Sequence, residues 1–286
     1  MRTTVNVEYV GDDLNEVVTR RGASGATIIV SEDCVTKLDV ERTGTFVRKQ
    51  GEWLSRWSPH VEMLPRVQRV LHNGYVMETL WVPQLHEINL DRTIELILHH
   101  LHDQLWSKTS GSFRFFDACE HRDYVYHLIG DIQPHSGQRK ELKQKLADAR
   151  THIDFATLRV GLTHGDCIID NVAYRGDELV IIDPIPASYG LPNLQAVDVG
   201  RLIQSAIGYE YVRYTRSSPI TDYDDAVARV LNLWLPEFDI NEARAAIYFA
   251  IIHTLRGVRT TTPGTTQRLG LWYLASKLQE VLRKWM

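Results

Sequence analysis

The sequence predicts an α+β chain in two parts: a small sheet-and-helix part over residues 1–80, and a larger, mainly helical part over 81–286. Three observations predict it. Before residue 80, short β-type runs alternate with tight polar or glycine-containing turns. Beyond residue 90, apolar residues recur at helical spacing, first at Ile94, Ile97, Leu98, Leu101 and Leu105. Between these patterns and the C-terminal helices lies a segment, His164 to Pro184, that sets an acid, an amide and a second acid around two short apolar runs, spacings that suit chemistry.

The first part reads in order. Val17-Val18-Thr19 leads into Arg20-Arg21-Gly22-Ala23-Ser24-Gly25-Ala26, followed by Thr27–Val30, the turn Ser31-Glu32-Asp33, and Val35–Leu38. This is strand, glycine-rich loop, strand, turn, strand. Glycine lets the main chain approach closely, so the N–H groups around Ser24 and Gly25 could cradle phosphate oxygens. A Walker G-x-x-x-x-G-K-[ST] loop is absent from the sequence. From about Arg42 to Trp57, Phe46, Trp53, Leu54 and Trp57 fall at helical spacing, with Glu52 off that stripe. Leu64–Val67 follows, then a strand from Tyr75 to Leu80.

In the second part, Asp91 is the expected N-cap of the first helix. His99, His100 and His102 on that helix lack a companion that would complete a metal set, so they read as helix surface. His121-Arg122-Asp123 spells a kinase catalytic tripeptide, but Leu128 stands five residues after the Asp, and the surroundings have helical character. From about Asp225 the chain reads as three helices broken at Pro236 and at Pro263-Gly264.

The segment His164-Gly165-Asp166-Cys167-Ile168-Ile169-Asp170-Asn171 is followed by Val172–Val180 and Ile181-Ile182-Asp183-Pro184. Gly176-Asp177 separates two β-type runs, which is a hairpin signal. Such a hairpin returns Asn171 and Asp183 to one open end, where facing Cβ atoms lie about 5 Å apart. An amide oxygen and a carboxylate there suit Mg²⁺, which prefers oxygen ligands shared with phosphates. Asp166, just before them, is left to orient an attacking hydroxyl or take its proton.

H-G-D-x-x-x-x-N followed by I-D-P resembles the aminoglycoside phosphotransferase and choline kinase family, relatives of the protein kinases. The resemblance implies a two-lobed kinase-like fold, with nucleotide and Mg²⁺ in the cleft between the lobes. It implies Asp166 as catalytic base and Asn171 and Asp183 as metal ligands. It also places Lys37 on the α- and β-phosphates, with Glu52 as its carboxylate partner and Glu41 as a rival. Glu78 to Leu80 becomes the hinge that bonds the purine. Asp198 becomes a brace for the catalytic loop, although a helix N-terminal acid is also expected there on dipole grounds. Asp170, Tyr189, Arg201, Tyr209, His253 and Arg256 are candidates for an acceptor pocket. The implied reaction moves the γ-phosphate of ATP or GTP to a hydroxyl of a sugar, aminoglycoside or amino alcohol. Pro184, where protein kinases have Phe-Gly, favours a small acceptor over a protein. A protein kinase and an inactive nucleotide-binding module are the alternatives.

Composition narrows the setting. A net charge of −4 gives no basis for binding nucleic acid or an anionic membrane. The apolar stretch Ala245–Leu255 is about half the roughly 20 residues needed to span a bilayer. The N-terminal residues carry no apolar export segment. Three cysteines (Cys34, Cys119, Cys167) without CxxC spacing fit a reducing, cytoplasmic location. Oligomeric state is not legible.

Overall fold

The computed structural model describes residues 18–21, 26–39, 45–108, 136–185, 192–215, 218–235, 237, 239–261 and 264–286. The expected loop residues Ser24 and Gly25, together with Glu41, the His121-Arg122-Asp123 tripeptide and Tyr189, lie outside them. By its contacts the chain forms two compact units, Met1–Pro83 with Val172–Pro186, and Gln84–Asn171 with Ala187–Met286.

The first unit is an antiparallel five-stranded sheet in the order β1-β2-β3-β5-β4, built from β1 (Val18–Arg21), β2 (Thr27–Val30), β3 (Cys34–Leu38), β4 (Val67–Leu71) and β5 (Gly74–Glu78). The strand expected from Tyr75 to Leu80 is β5, and it pairs with β4, which turns through His72-Asn73 into Gly74. Asn73-Gly74 is itself a hairpin signal. Gly74 is required because a Cβ there would lie 2.0 Å from the Lys37 carbonyl oxygen.

Helix α1 (Thr45–Trp57) packs on this sheet. Its buried face is Val47, Gln50, Gly51 and Leu54 rather than the expected Phe46, Trp53, Leu54 and Trp57. Gly51 sets the contact: a Cβ at that position would meet the Tyr75 Cβ at 2.6 Å. This close approach carries Gln50 into the interior.

The hairpin β6 (Val172–Arg175) and β7 (Glu178–Ile181) forms as expected, with Arg175 opposite Glu178 and Gly176 at φ +60° in the turn. The sequence-based boundary at residue 80 leaves this hairpin with the helical part, whereas its contacts join it to the sheet. The Trp81 main chain exchanges hydrogen bonds with Tyr174 at 3.1 and 2.8 Å. Arg175 reaches the Leu64 carbonyl at 3.1 Å and the Glu78 carboxylate at 3.0 Å.

In the second unit the described α-helices are α2 (Leu90–His100), continued by a π-helical turn over Leu101–Trp106, α3 (Ser136–Thr151), α4 (Gln195–Ala206), α5 (Tyr209–Thr215), α6 (Tyr223–Trp234), α7 (Ile240–Thr260) and α8 (Thr266–Trp285). The N-cap of α2 is Asn89, whose side chain accepts from Arg92 N, rather than Asp91. Ile94, Ile97, Leu98, Leu101 and Leu105 are buried as their spacing predicts. His99 and His102 are exposed and pair with Asp103, and no metal-binding cluster of acidic, His or Cys groups occurs among the described residues.

Helices α4 and α7 form the middle of the core. At Gly200 a Cβ would lie 2.8 Å from the Ala250 nitrogen, so the two backbones cross in direct contact. That crossing fixes α4, and with it Asp198 and Arg201. No described helix is long and apolar enough to cross a membrane.

Candidate active site

In the first unit, β3 carries Lys37 at a position that points to α1, and the side chain is only 3% exposed. A buried ammonium requires partners to offset its lost hydration. Lys37 Nζ lies 2.6 Å from Asp183 Oδ1 and donates to Gln50 Oε1 at 3.2 Å. Gln50 Nε2 in turn donates to the Pro184 carbonyl at 2.8 Å. One amide thus ties the lysine to the chain just after Asp183.

This corrects the expected pairing with Glu52, which lies on the exposed face of α1 and pairs with Arg48 at 2.8 Å. The signal for Gln50 was its place in the series 47, 50, 51, 54, which is a helical face with one polar member.

Asp183 has φ +61°, the one non-glycine residue with positive φ among the described residues. Aspartate tolerates this region better than most side chains. Its Oδ1 is held by Lys37. Tyr75 faces Lys37 across the β3–β5 ladder and is wholly buried. Burial, reinforced by the Asp183 charge, pushes its hydroxyl well above the usual value.

Glu78 is taken up by structure. Burial raises its carboxyl, but Arg175, with Arg66 N donating at 2.7 Å, pulls it below the ordinary range. Its own N–H donates to the Arg66 carbonyl at 3.0 Å. Leu80, between the bonded Glu78 and Trp81, makes no main-chain hydrogen bond among the described residues.

In the second unit, the loop from His164 to Asn171 hangs on one carboxylate. Asp198, in the first turn of α4, accepts from Gly165 N at 2.7 Å, from His164 N at 3.1 Å and from Trp106 Nε1 at 3.1 Å. It is fully buried, and burial pushes it up to about 6 despite those donors. The Cys167 thiol donates to the Asp198 carbonyl at 3.2 Å, and burial pushes that thiol well up. Asp198 thus braces the loop, and Cys167 is packing.

Asp166 is held at both carboxylate oxygens. Arg201 Nη2 lies 2.7 Å from Oδ1, and Asn171 Nδ2 donates to Oδ2 at 3.0 Å and to the Asp166 carbonyl at 2.7 Å. Arg201 is buried and also donates from Nη1 to Gln204 Oε1 at 2.8 Å. The Asn171 amide nitrogen is spent on Asp166, so its oxygen is the end left for a ligand. An amide oxygen is a hard donor of the kind Mg²⁺ selects, and in the first unit the Asp183 carboxylate is another.

Of the acceptor-pocket candidates, Arg201 contacts Asp166, and Tyr209 feels the charges of Arg213, Arg201, Glu210 and Asp166, though burial dominates and raises its hydroxyl. His253 is buried on α7 and bonds the Val197 carbonyl at 3.2 Å, a structural role. Arg256, also on α7, is half-buried. Arg213 and Tyr214, which contact Asp170, were not singled out from sequence, and a short helix of mixed polarity gave no signal for them.

No family model and no curated protein sequence matches the chain. Among solved structures, an ethanolamine kinase from Plasmodium vivax is 12% identical over 99% of this chain and 85% of its own, with a TM-score of 0.59. The choline kinase LicA from Streptococcus pneumoniae is 12% identical over 96% of this chain and 94% of its own, with a TM-score of 0.60. The spectinomycin phosphotransferase APH(9)-Ia, in complex with ADP and spectinomycin, is 14% identical over 97% of this chain and 95% of its own, with a TM-score of 0.53. The chain has the fold of the choline, ethanolamine and aminoglycoside kinases, as the motif around Asp166 led one to expect.

Proposed function

We propose that the chain is a small-molecule kinase that transfers the γ-phosphoryl group of ATP or GTP to an acceptor hydroxyl. The observation that carries this reading is the contact of the buried Lys37 with the part-exposed Asp183, tied by Gln50 to the Pro184 carbonyl. It joins the strand lysine and the carboxylate that the motif assigns to phosphate and metal. The fold shared with kinases of choline, ethanolamine and spectinomycin supports the same reaction class, and the ADP complex of the last supports a nucleotide donor.

In this reading Asp166 receives the acceptor hydroxyl, orients its lone pair towards the γ-phosphorus and takes its proton as the new O–P bond forms. The bond from the γ-phosphorus to the β,γ-bridging oxygen breaks, and the nucleoside diphosphate leaves. Arg201 and Asn171 hold Asp166 in one rotamer, which supplies orientation rather than chemistry. Lys37 offsets charge on the α- and β-phosphates, where most of the stabilisation arises. Asn171 and Asp183 are the residues that would hold Mg²⁺, which would supply further positive charge to the phosphate oxygens. Leu80, whose main chain makes no hydrogen bond among the described residues, is the residue we assign to the purine edge, with Glu78 as its structural neighbour. Ser24 and Gly25 are assigned to the phosphates on sequence alone. Free thiols at Cys34 and Cys167 support a reducing, cytoplasmic setting.

The test is magnesium-dependent release of ADP from ATP in the presence of pooled small hydroxyl compounds, with Asp183→Asn as comparison. The expected result is a loss of roughly a hundredfold or more in the variant, since one charged metal ligand is gone. Near-normal turnover by Asp183→Asn would overturn the assignment.

A further inference from the structure

Around Asp166 the second unit assembles a second layer of charge. Asp170 stands four residues on in the same loop, and its side chain is 16% exposed. Its Oδ2 accepts the Tyr214 hydroxyl at 2.7 Å and lies 3.6 Å from Arg213 Nη1. Both partners come from α5, with the Arg213 guanidinium 5.7 Å from the centre of the Tyr214 ring. Tyr214 is 58% exposed, so the array opens to solvent at that end. Glu210, earlier on α5, is buried and accepts the Ser205 hydroxyl at 2.6 Å. Burial, then the charge of Asp170, pushes Glu210 up to about 8, so it stays uncharged at neutral pH.

The carboxylates of this array are therefore all answered. Asp166 has Arg201 and Asn171, Asp170 has Arg213 and Tyr214, Glu210 keeps its proton, and Asp198 is turned onto the loop N–H groups. An ammonium brought here would shed water without meeting an unmatched anion, which is a net cost. A hydroxyl compound meets the opposite situation. Each hydroxyl both donates and accepts, so neighbouring hydroxyls can give to Asp170 and take from Arg213. The open ring of Tyr214 offers an apolar face to the C–H side of a sugar.

We infer that the acceptor is an uncharged polyhydroxy compound, a sugar or sugar alcohol, gripped by Asp170, Arg213 and Tyr214 beside Asp166. This rests on the kinase reading and narrows it.

The test offers γ-labelled Mg·ATP and the intact protein two matched pools. One holds neutral sugars and polyols. The other holds the corresponding amino sugars, with choline and ethanolamine. ATP binding is followed separately by calorimetry. The expected result is label on a neutral compound, with kcat/KM about tenfold or more above its amino counterpart. In Arg213→Gln, Asp170 loses its cation, so that preference narrows about fivefold or more while the KM for ATP is unchanged, and Arg213→Lys restores it. Asp170→Asn raises the KM for the neutral acceptor about tenfold with the fold intact by circular dichroism. Preferred transfer to an amine, or an unchanged preference in Arg213→Gln, overturns the inference and leaves the kinase reading standing. ATP binding without transfer to the neutral pool overturns the acceptor class alone. Absence of both ATP binding and transfer overturns the two together.

Discussion

Lys37 and Asp183, 146 positions apart in the chain, stand 2.6 Å from each other, with the lysine buried and the carboxylate about one-third exposed. The pair stores a cation where phosphates are expected, and the exposed side of Asp183 lowers the cost of separating them. Lys37→Met therefore costs about 1–2 kcal/mol of stability, less than the loss of one partner in a fully buried pair. Phosphoryl transfer falls about a hundredfold or more. Thermal melts and ATP turnover on the same preparation check both halves. Intact turnover would remove Lys37 from the site.

Gln50, not Glu52, is the α1 residue on which Lys37 depends. Gln50→Leu leaves the Pro184 carbonyl without its donor and Lys37 with one partner, at about 1–3 kcal/mol and about tenfold in kcat/KM. Glu52→Gln breaks only the exposed pair with Arg48 and changes stability by about 0.5 kcal/mol or less. Side-by-side denaturant melts and kinetics of the two variants decide between them. Greater damage from Glu52→Gln would reverse the assignment.

The Asp198 carboxylate organises the loop by accepting from three donors. Asp198→Asn puts an NH₂ group in place of one acceptor oxygen, facing N–H or indole donors. It costs about 3 kcal/mol and nearly all turnover. Trp106→Phe removes one donor and keeps the ring bulk, at about 1 kcal/mol. Urea midpoints that rank Trp106→Phe as the worse of the two would contradict the bracing role.

Much of this was legible in advance. Asp166, Asn171 and Asp183 could be proposed from sequence because their spacing is local, and Gly176-Asp177 marked the hairpin that forms between the last two. Lys37 was proposed from the resemblance, by its place on the third strand. Gln50 was hidden because the apolar stripe drawn through Phe46 and Trp53 is offset from the face that Gly51 packs against Tyr75. The Asn73-Gly74 turn was overlooked although its chemistry is local. Arg201, Arg213 and Tyr214 act through partners more than thirty residues away, and the crossing at Gly200 that fixes Arg201 follows from tertiary packing alone. The positive φ of Asp183 likewise has no sequence signature, since aspartate is a common residue in ordinary backbone.

Glu210 supplies a pH signature. Its folded value of about 8 lies above the ordinary 4.5, because burial and the facing Asp170 carboxylate outweigh Ser205 and Arg213. The folded protein holds that proton where the unfolded chain has lost it. Its contribution is thus complete below pH 4.5 and is lost as pH rises to about 8. The loss is on the order of 1 kcal/mol per pH unit across that window. Glu210→Gln keeps an acceptor for Ser205 and cannot ionise, so its urea stability between pH 5 and 8 declines less than that of the native chain. Parallel curves would contradict a buried, protonated Glu210.

The most direct measurement follows the γ-phosphate of labelled Mg·ATP in the native protein and in Asp166→Asn, with small hydroxyl compounds present. The account predicts label on a small molecule, reduced about a thousandfold in the variant while ATP binding persists. Label on the protein itself, or equal transfer by Asp166→Asn, would contradict it.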